Sequence, residues 1–121
     1  MHQLVQHRRL LRETVTEYEK MRLDLSYIEN NHPPEITNDV RNARIDLLCQ
    51  ATNGYIFSIA QQAITFSHDE KVTELGHRVY DAYSFDLKWG IDIESFSEYL
   101  WISIHDLLEA IKELCRDLEE E

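Results

Sequence analysis

Glycine and proline are scarce in this chain, and no other feature constrains its fold as much. The 121 residues include three glycines and two prolines. Because these residue types break helices and form tight turns, a chain with so few of them makes few turns and long elements. The chain has the usual length for a single core, and long elements in a domain of that size are helices. We therefore predict an all-α fold in a single domain, residues 1–121.

Apolar residues repeat at helical spacing in four segments of the chain. In the first segment, apolar residues lie seven apart, at Leu4, Leu11, Tyr18 and Leu25. Pro33 and Pro34 end that helix. The last segment, from Leu100 to Leu118, alternates steps of four and three, which is typical of helices packed at a shallow angle. Short connections favour an antiparallel four-helix bundle, with helices near 3–29, 37–66, 68–84 and 94–119.

Several local patterns predict where these helices begin and end. Thr37 or Asn38 is a good cap for the second helix. Two capping boxes, each a Ser followed three residues later by Glu, lie at Ser67–Glu70 and Ser95–Glu98. Residues 85–90 are expected to form a loop. Asn53-Gly54 is compatible with a hairpin turn, but the helical spacing before it favours a continuous or kinked helix, with a strand over 55–59 as the alternative.

The net charge of −11 is distributed unevenly along the chain. Residues 1–66 carry seven basic and eight acidic side chains, whereas residues 67–121 carry five basic and fifteen acidic ones. An electrostatic field of that sign repels nucleic acid and anionic lipid and attracts basic protein surfaces. We therefore expect a basic protein partner and no direct binding to nucleic acid or membrane. No apolar run approaches the roughly 18 residues of a membrane span, and residues 1–4 do not resemble a signal peptide, so we expect a soluble, cytoplasmic protein.

Sequence patterns for catalysis or metal binding are weak or missing. The three glycines are isolated, so none belongs to a phosphate-binding loop. Cys49 and Cys115 are far apart among apolar neighbours, which favours two small buried side chains. Two Glu-x-x-His sequences, at 29–32 and 74–77, are of the type that holds di-metal centres in bundles, but no inward glutamates accompany them. We expect no catalytic residue, no cofactor and no metal.

Aromatic and acidic residues are interleaved between residues 80 and 101, where seven aromatic side chains occur. They cannot all face inward from their helices, so some aromatic surface among carboxylates is expected. Aromatic anchors with complementary charge are typical of protein interfaces. The partner contacts are therefore expected at Asp81, Tyr83, Asp86, Trp89, Asp92, Glu94 and Glu98.

These features favour a small acidic protein-binding module that inhibits a basic partner, such as an immunity protein or antitoxin that covers a nuclease toxin. A positive phosphate-binding cleft would attract such a surface. One alternative is a structural protein that self-associates, as a homodimer for example, through its first or last helix. A weaker alternative is an enzyme with a carboxylate-bound metal.

Overall fold

Four α-helices make up nearly all of the described chain. The computed structural model describes residues 2–31, 34–88 and 97–116, and no strand occurs in those ranges. The helices are α1 (His2–Asn30), α2 (Asn38–Phe66), α3 (Glu70–Lys88) and α4 (Glu98–Leu114). The all-α prediction is confirmed, as is the number of helices.

Contacts between helix ends show that neighbouring helices run antiparallel. The His7 ring, near the start of α1, lies 4.5 Å from the Phe66 ring at the end of α2. The α4 end returns to the start of α1, where the Cys115 thiol donates to the Arg8 carbonyl at 3.5 Å. Each helix therefore packs against its neighbours in the sequence, and α4 closes the bundle against α1.

All four helices contribute to a single hydrophobic core. On α1, the predicted stripe is buried at Leu11, Val15, Tyr18, Leu25 and Ile28. On α4, the stripe with steps of four and three is buried at Leu100, Ile104, Leu107 and Ile111. Both stripes confirm that helical periodicity identified the inward faces.

The observed cap of α2 is the predicted one, whereas the observed cap of α3 is a different residue from the one predicted. The Val40 amide donates to Thr37 Oγ1 at 3.3 Å, which confirms the predicted start of α2. The Val72 amide donates to Asp69 Oδ1 at 3.0 Å, so Asp69 begins α3 and the predicted cap, Ser67, is wrong. Ser67 instead ends α2, because its buried hydroxyl donates to the carbonyl four residues earlier at 2.6 Å.

The last helix also begins later than predicted. The Leu100 amide donates to Ser97 Oγ at 3.1 Å, so Ser97 is the cap and Glu98 is the first helical residue. The predicted cap, Ser95, lies outside the described residues. At its other end, α4 stops at Leu114 rather than near residue 119, and residues 117–121 are not among those described.

The prediction of a loop over residues 85–90 is wrong for its first four positions. Helix α3 continues through residue 88, and residues 89 and 90 lie outside the described chain. The physical reason is visible in the sequence, because Phe85-Asp86-Leu87-Lys88 contains neither glycine nor proline and nothing there interrupts a helix.

Helix α2 is continuous through Asn53-Gly54, which confirms the preferred prediction and removes the strand alternative over 55–59. Its first half, however, does not bury all of its apolar positions. Val40 is 45% exposed and Leu47 is 65% exposed, although both belong to the predicted stripe.

Two further expectations concern the cysteines and the membrane. Cys115 is buried and Cys49 is partly buried, and neither forms a disulfide. None of the described helices combines the length and the apolar character required to cross a bilayer.

Candidate functional site

Of the seven predicted contact residues, the structure describes four, which lie on α3 and α4. Asp81 is exposed on α3, and Glu98 is exposed in the first turn of α4. The backbone of α3 includes Tyr83 and Asp86, whose side chains are outside the described part of the chain. The other three predicted contacts, Trp89, Asp92 and Glu94, also lie outside the described residues.

The outward side of α4 carries two large apolar side chains that the core does not use. Tyr99 is 60% exposed and Ile102 is 52% exposed. Both lie off the buried stripe, because a helix turns by about 100° per residue. Tyr99 directly precedes the buried Leu100, and Ile102 falls midway between Leu100 and Ile104. We call the exposed residues Glu98, Tyr99, Ile102, Asp106 and Glu109 the α4 face.

Carboxylates flank the two apolar side chains of the α4 face along the helix, with Glu98 before them and Asp106 and Glu109 after them. Among the described residues, Glu98 and Asp106 have no ion-pair partner, so their charges are available to another molecule. Glu109 lies 3.8 Å from the ammonium group of Lys112, which also binds Glu19 on α1 at 3.2 Å. These three groups are about half exposed, so the two ion pairs hold their carboxylates weakly.

Trp101 belongs to the α1–α4 contact and not to the α4 face. Its ring is partly buried, and the guanidinium carbon of Arg22 lies 4.6 Å from the ring centre. This cation–π contact fixes the start of α4 against α1. The α4 face is thus presented by a helix that its neighbours hold on its inward side.

Sequence reasoning missed four of the five members of the α4 face. Tyr99 was recognised as part of the aromatic cluster but not as a contact, and Ile102, Asp106 and Glu109 were not singled out. The signal was present, because Tyr99 and Ile102 interrupt the stripe of the most regular helix. A large apolar residue that falls outside such a stripe is a candidate for exposure.

A groove of about 780 Å³ lies between α1, α3 and α4. Its lining includes four cationic and four anionic side chains, which are Arg12, Lys71, Lys112, Arg116, Glu19, Asp106, Glu109 and Glu113. Because the two signs balance, the groove has no net charge with which to select a small anion or cation.

The remaining candidate residues for chemistry are separate from one another. In the second Glu-x-x-His sequence, Glu74 binds Arg78 at 3.2 Å and His77 is exposed. Within residues 4–31, 34–82 and 97–116, no three His, Cys, Asp or Glu side chains are grouped closely enough to hold a metal ion. Burial raises the pKa of Tyr18 above 10.0, although the nearby Arg22 opposes that shift.

Comparisons with protein-family models, curated protein sequences and solved structures gave no match to this chain.

Proposed function

We propose that this chain is a non-catalytic binding module whose α4 face covers a basic surface of a partner protein. The observation that carries the proposal is the pair of exposed apolar side chains, Tyr99 and Ile102, on a helix face that also exposes carboxylates before and after them. A soluble surface gains nothing from exposing a tyrosine and an isoleucine side by side, whereas an interface gains from burying them.

The two kinds of side chain have different roles in such an interface. Tyr99 and Ile102 supply the desolvated centre, and residues of this kind at an interface centre cost roughly 2 kcal/mol or more when truncated. Glu98, Asp106 and Glu109 form a charged rim that speeds association with a basic surface and makes it sensitive to salt. Asp81 on α3 adds to the same negative field.

The partner class follows from the sign and the size of the charge. Residues 67–121 have ten more acidic than basic side chains, and proteins that bind nucleic acid carry the complementary positive clefts. We propose that the partner is a nuclease and that this chain inhibits it by occupying the phosphate-binding cleft, as an immunity protein or antitoxin does. The proposal rests on charge and on exposed surface.

Affinity capture from the native host tests the proposal if matched variants are compared with the natural chain. Capture at low salt is followed by a wash near 1 M salt, where screening shortens the Debye length to about 3 Å. One variant combines Tyr99→Ala with Ile102→Ala and removes the apolar centre. The control combines Glu13→Gln with Glu17→Gln, which removes two exposed carboxylates from α1.

The expected result is one basic protein that the natural chain and the control retain and that high salt releases. The Tyr99→Ala/Ile102→Ala variant should lose at least about 30-fold in affinity for it. Stoichiometric addition of the natural chain should abolish the nuclease activity of the captured protein. Equal retention by both variants, or a captured protein whose activity is unaffected, would refute the inhibitor proposal.

A further inference from the structure

A second apolar surface lies on the hairpin formed by α1 and α2, away from the α4 face. A groove of about 400 Å³ runs along this hairpin. It is lined by Asp24, Tyr27, Ile28, Ile36, Arg44, Leu47 and Leu48, and we call it the hairpin groove. All of these residues belong to α1, α2 or their connection, so neither α3 nor α4 contributes to its lining.

The hairpin groove and its margins expose more apolar surface than the α4 face does. Tyr27 is 64% exposed and Leu47 is 65% exposed. Leu23 lies one turn before Tyr27 on α1 and is 72% exposed, while Val40 lies two turns before Leu47 on α2 and is 45% exposed. Four of the seven exposed large hydrophobic side chains among the described residues are therefore at this groove or its margins. Contiguous exposure of this kind marks an interaction site.

Hydrogen bonds between the start of α2 and the end of α1 join the two walls of the groove. Arg41 on α2 donates through Nε to the Ile28 carbonyl at 3.1 Å. The same guanidinium donates through Nη2 to the Glu29 carbonyl at 2.8 Å. These two bonds satisfy carbonyls at the end of α1, which have no partner within their own helix. The groove therefore lies between two helices that these hydrogen bonds hold together.

The distribution of charge favours a second copy of this chain as the occupant. Residues 1–66 have a net charge of −1, whereas residues 67–121 have a net charge of −10. Two identical copies repel each other through their acidic halves, so the nearly neutral hairpin is the face at which they meet with the least repulsion. A basic partner, by contrast, is attracted to the acidic half and gains no electrostatic advantage at the hairpin.

The two charges in the hairpin groove also fit a two-fold arrangement. Asp24 lies on α1 and Arg44 lies on α2, and neither has an ion-pair partner among the described residues. In a two-fold interface the same patch meets itself, and when the axis runs along the groove, a residue on one wall faces the other wall of the partner copy. Asp24 of each copy is then placed opposite Arg44 of the other, and the apolar side chains fill the centre.

We propose that the hairpin groove is the two-fold interface of a homodimer of this chain. The groove shares no residue with the α4 face, so a dimer leaves both α4 faces exposed. The dimer proposal does not depend on the proposed inhibitor function, because it concerns a different surface and a different partner.

Sedimentation equilibrium of the purified chain, from about 1 to 200 µM at 0.15 M salt, tests the proposal. At that salt concentration the repulsion between the acidic halves is screened beyond about 8 Å. The expected result is a concentration-dependent mass that rises to twice the 14.4 kDa of the chain. A mass that stays at one chain over the whole range would overturn the proposal.

Variants locate the interface. Leu47→Glu should weaken dimerisation at least about 100-fold, because a two-fold interface contains each substitution twice. The matched control is Leu10→Glu, at an α1 position that is 48% exposed but lies outside the groove. Circular dichroism establishes that each variant is folded, which is expected because both positions are exposed. Equal weakening by Leu10→Glu would show that the groove is not the interface.

A charge exchange tests the two-fold pairing. Asp24→Arg and Arg44→Asp should each weaken the dimer, because each places like charges across the interface. The double variant Asp24→Arg/Arg44→Asp restores opposite charges and should recover the dimer to within about threefold of the natural chain. A double variant that is as weak as the two single variants would refute the proposed arrangement.

Discussion

Replacing glycine by alanine at two helical positions tests how closely α2 and α3 approach each other. In a helix interior, alanine is more favourable than glycine by about 1 kcal/mol. A Cβ atom added at Gly54 on α2 would meet no atom within 4 Å. Gly54→Ala should therefore raise the free energy of unfolding by about 1 kcal/mol.

The same substitution at Gly76 on α3 should have the opposite effect. A Cβ atom there would lie 2.9 Å from Ala63 Cβ and 3.2 Å from the Ala60 carbonyl oxygen. Both atoms are fixed to the α2 backbone, and Ala63 is completely buried, so neither can rotate away. Overpacking of this kind costs about 1–3 kcal/mol. After the helical gain is subtracted, Gly76→Ala should lower the free energy of unfolding by about 1 kcal/mol.

Urea denaturation and thermal denaturation of the two variants and the natural chain measure both effects. The two variants should differ by about 2 kcal/mol in the free energy of unfolding, and their melting temperatures should differ by about 8 °C. Gly54→Ala serves as the control for the intrinsic preference of a helix for alanine. If Gly76→Ala stabilised the chain as much as Gly54→Ala does, the close contact between α2 and α3 would not depend on the absence of a side chain at position 76.

Two further predictions concern backbone strain and pH. His68, between α2 and α3, has a φ of 51°, which costs a non-glycine residue about 1–2 kcal/mol; His68→Gly should raise the melting temperature by a few degrees, and a lower melting temperature would contradict this account. Burial raises the pKa of Tyr18 above 10.0 in the folded chain, so the native state favours the neutral phenol and the free energy of unfolding should fall as pH rises above that value. Urea titrations at pH 8 and near pH 11 should show a smaller fall for Tyr18→Phe than for the natural chain, and identical falls would exclude Tyr18 as a source.

The sequence by itself determined the fold class, the number of helices and most of the inward faces. The scarcity of helix breakers required long helices, and the repeats through Leu11, Tyr18 and Leu25 on α1 identified residues that are buried. The cap at Thr37 was also readable. These features are local, because a helical period or a cap depends on residues within a few positions of each other.

Other features depended on which helices are neighbours, and only the tertiary structure decided them. Val40 and Leu47 follow the apolar pattern of α2, yet they are exposed because no described helix covers that side of the hairpin. Gly76 is required for close packing, although its sequence context shows no more than an isolated glycine within a helix.

The candidate sites were also predicted only in part from the sequence. The sequence predicted an acidic surface with aromatic side chains near α3 and α4, because charge and composition are properties of the chain. It did not select Tyr99 and Ile102 as the apolar centre of the α4 face, nor did it indicate a groove between α1 and α2. Exposure depends on the positions of all neighbouring helices, and those positions are set by packing between residues far apart in the sequence.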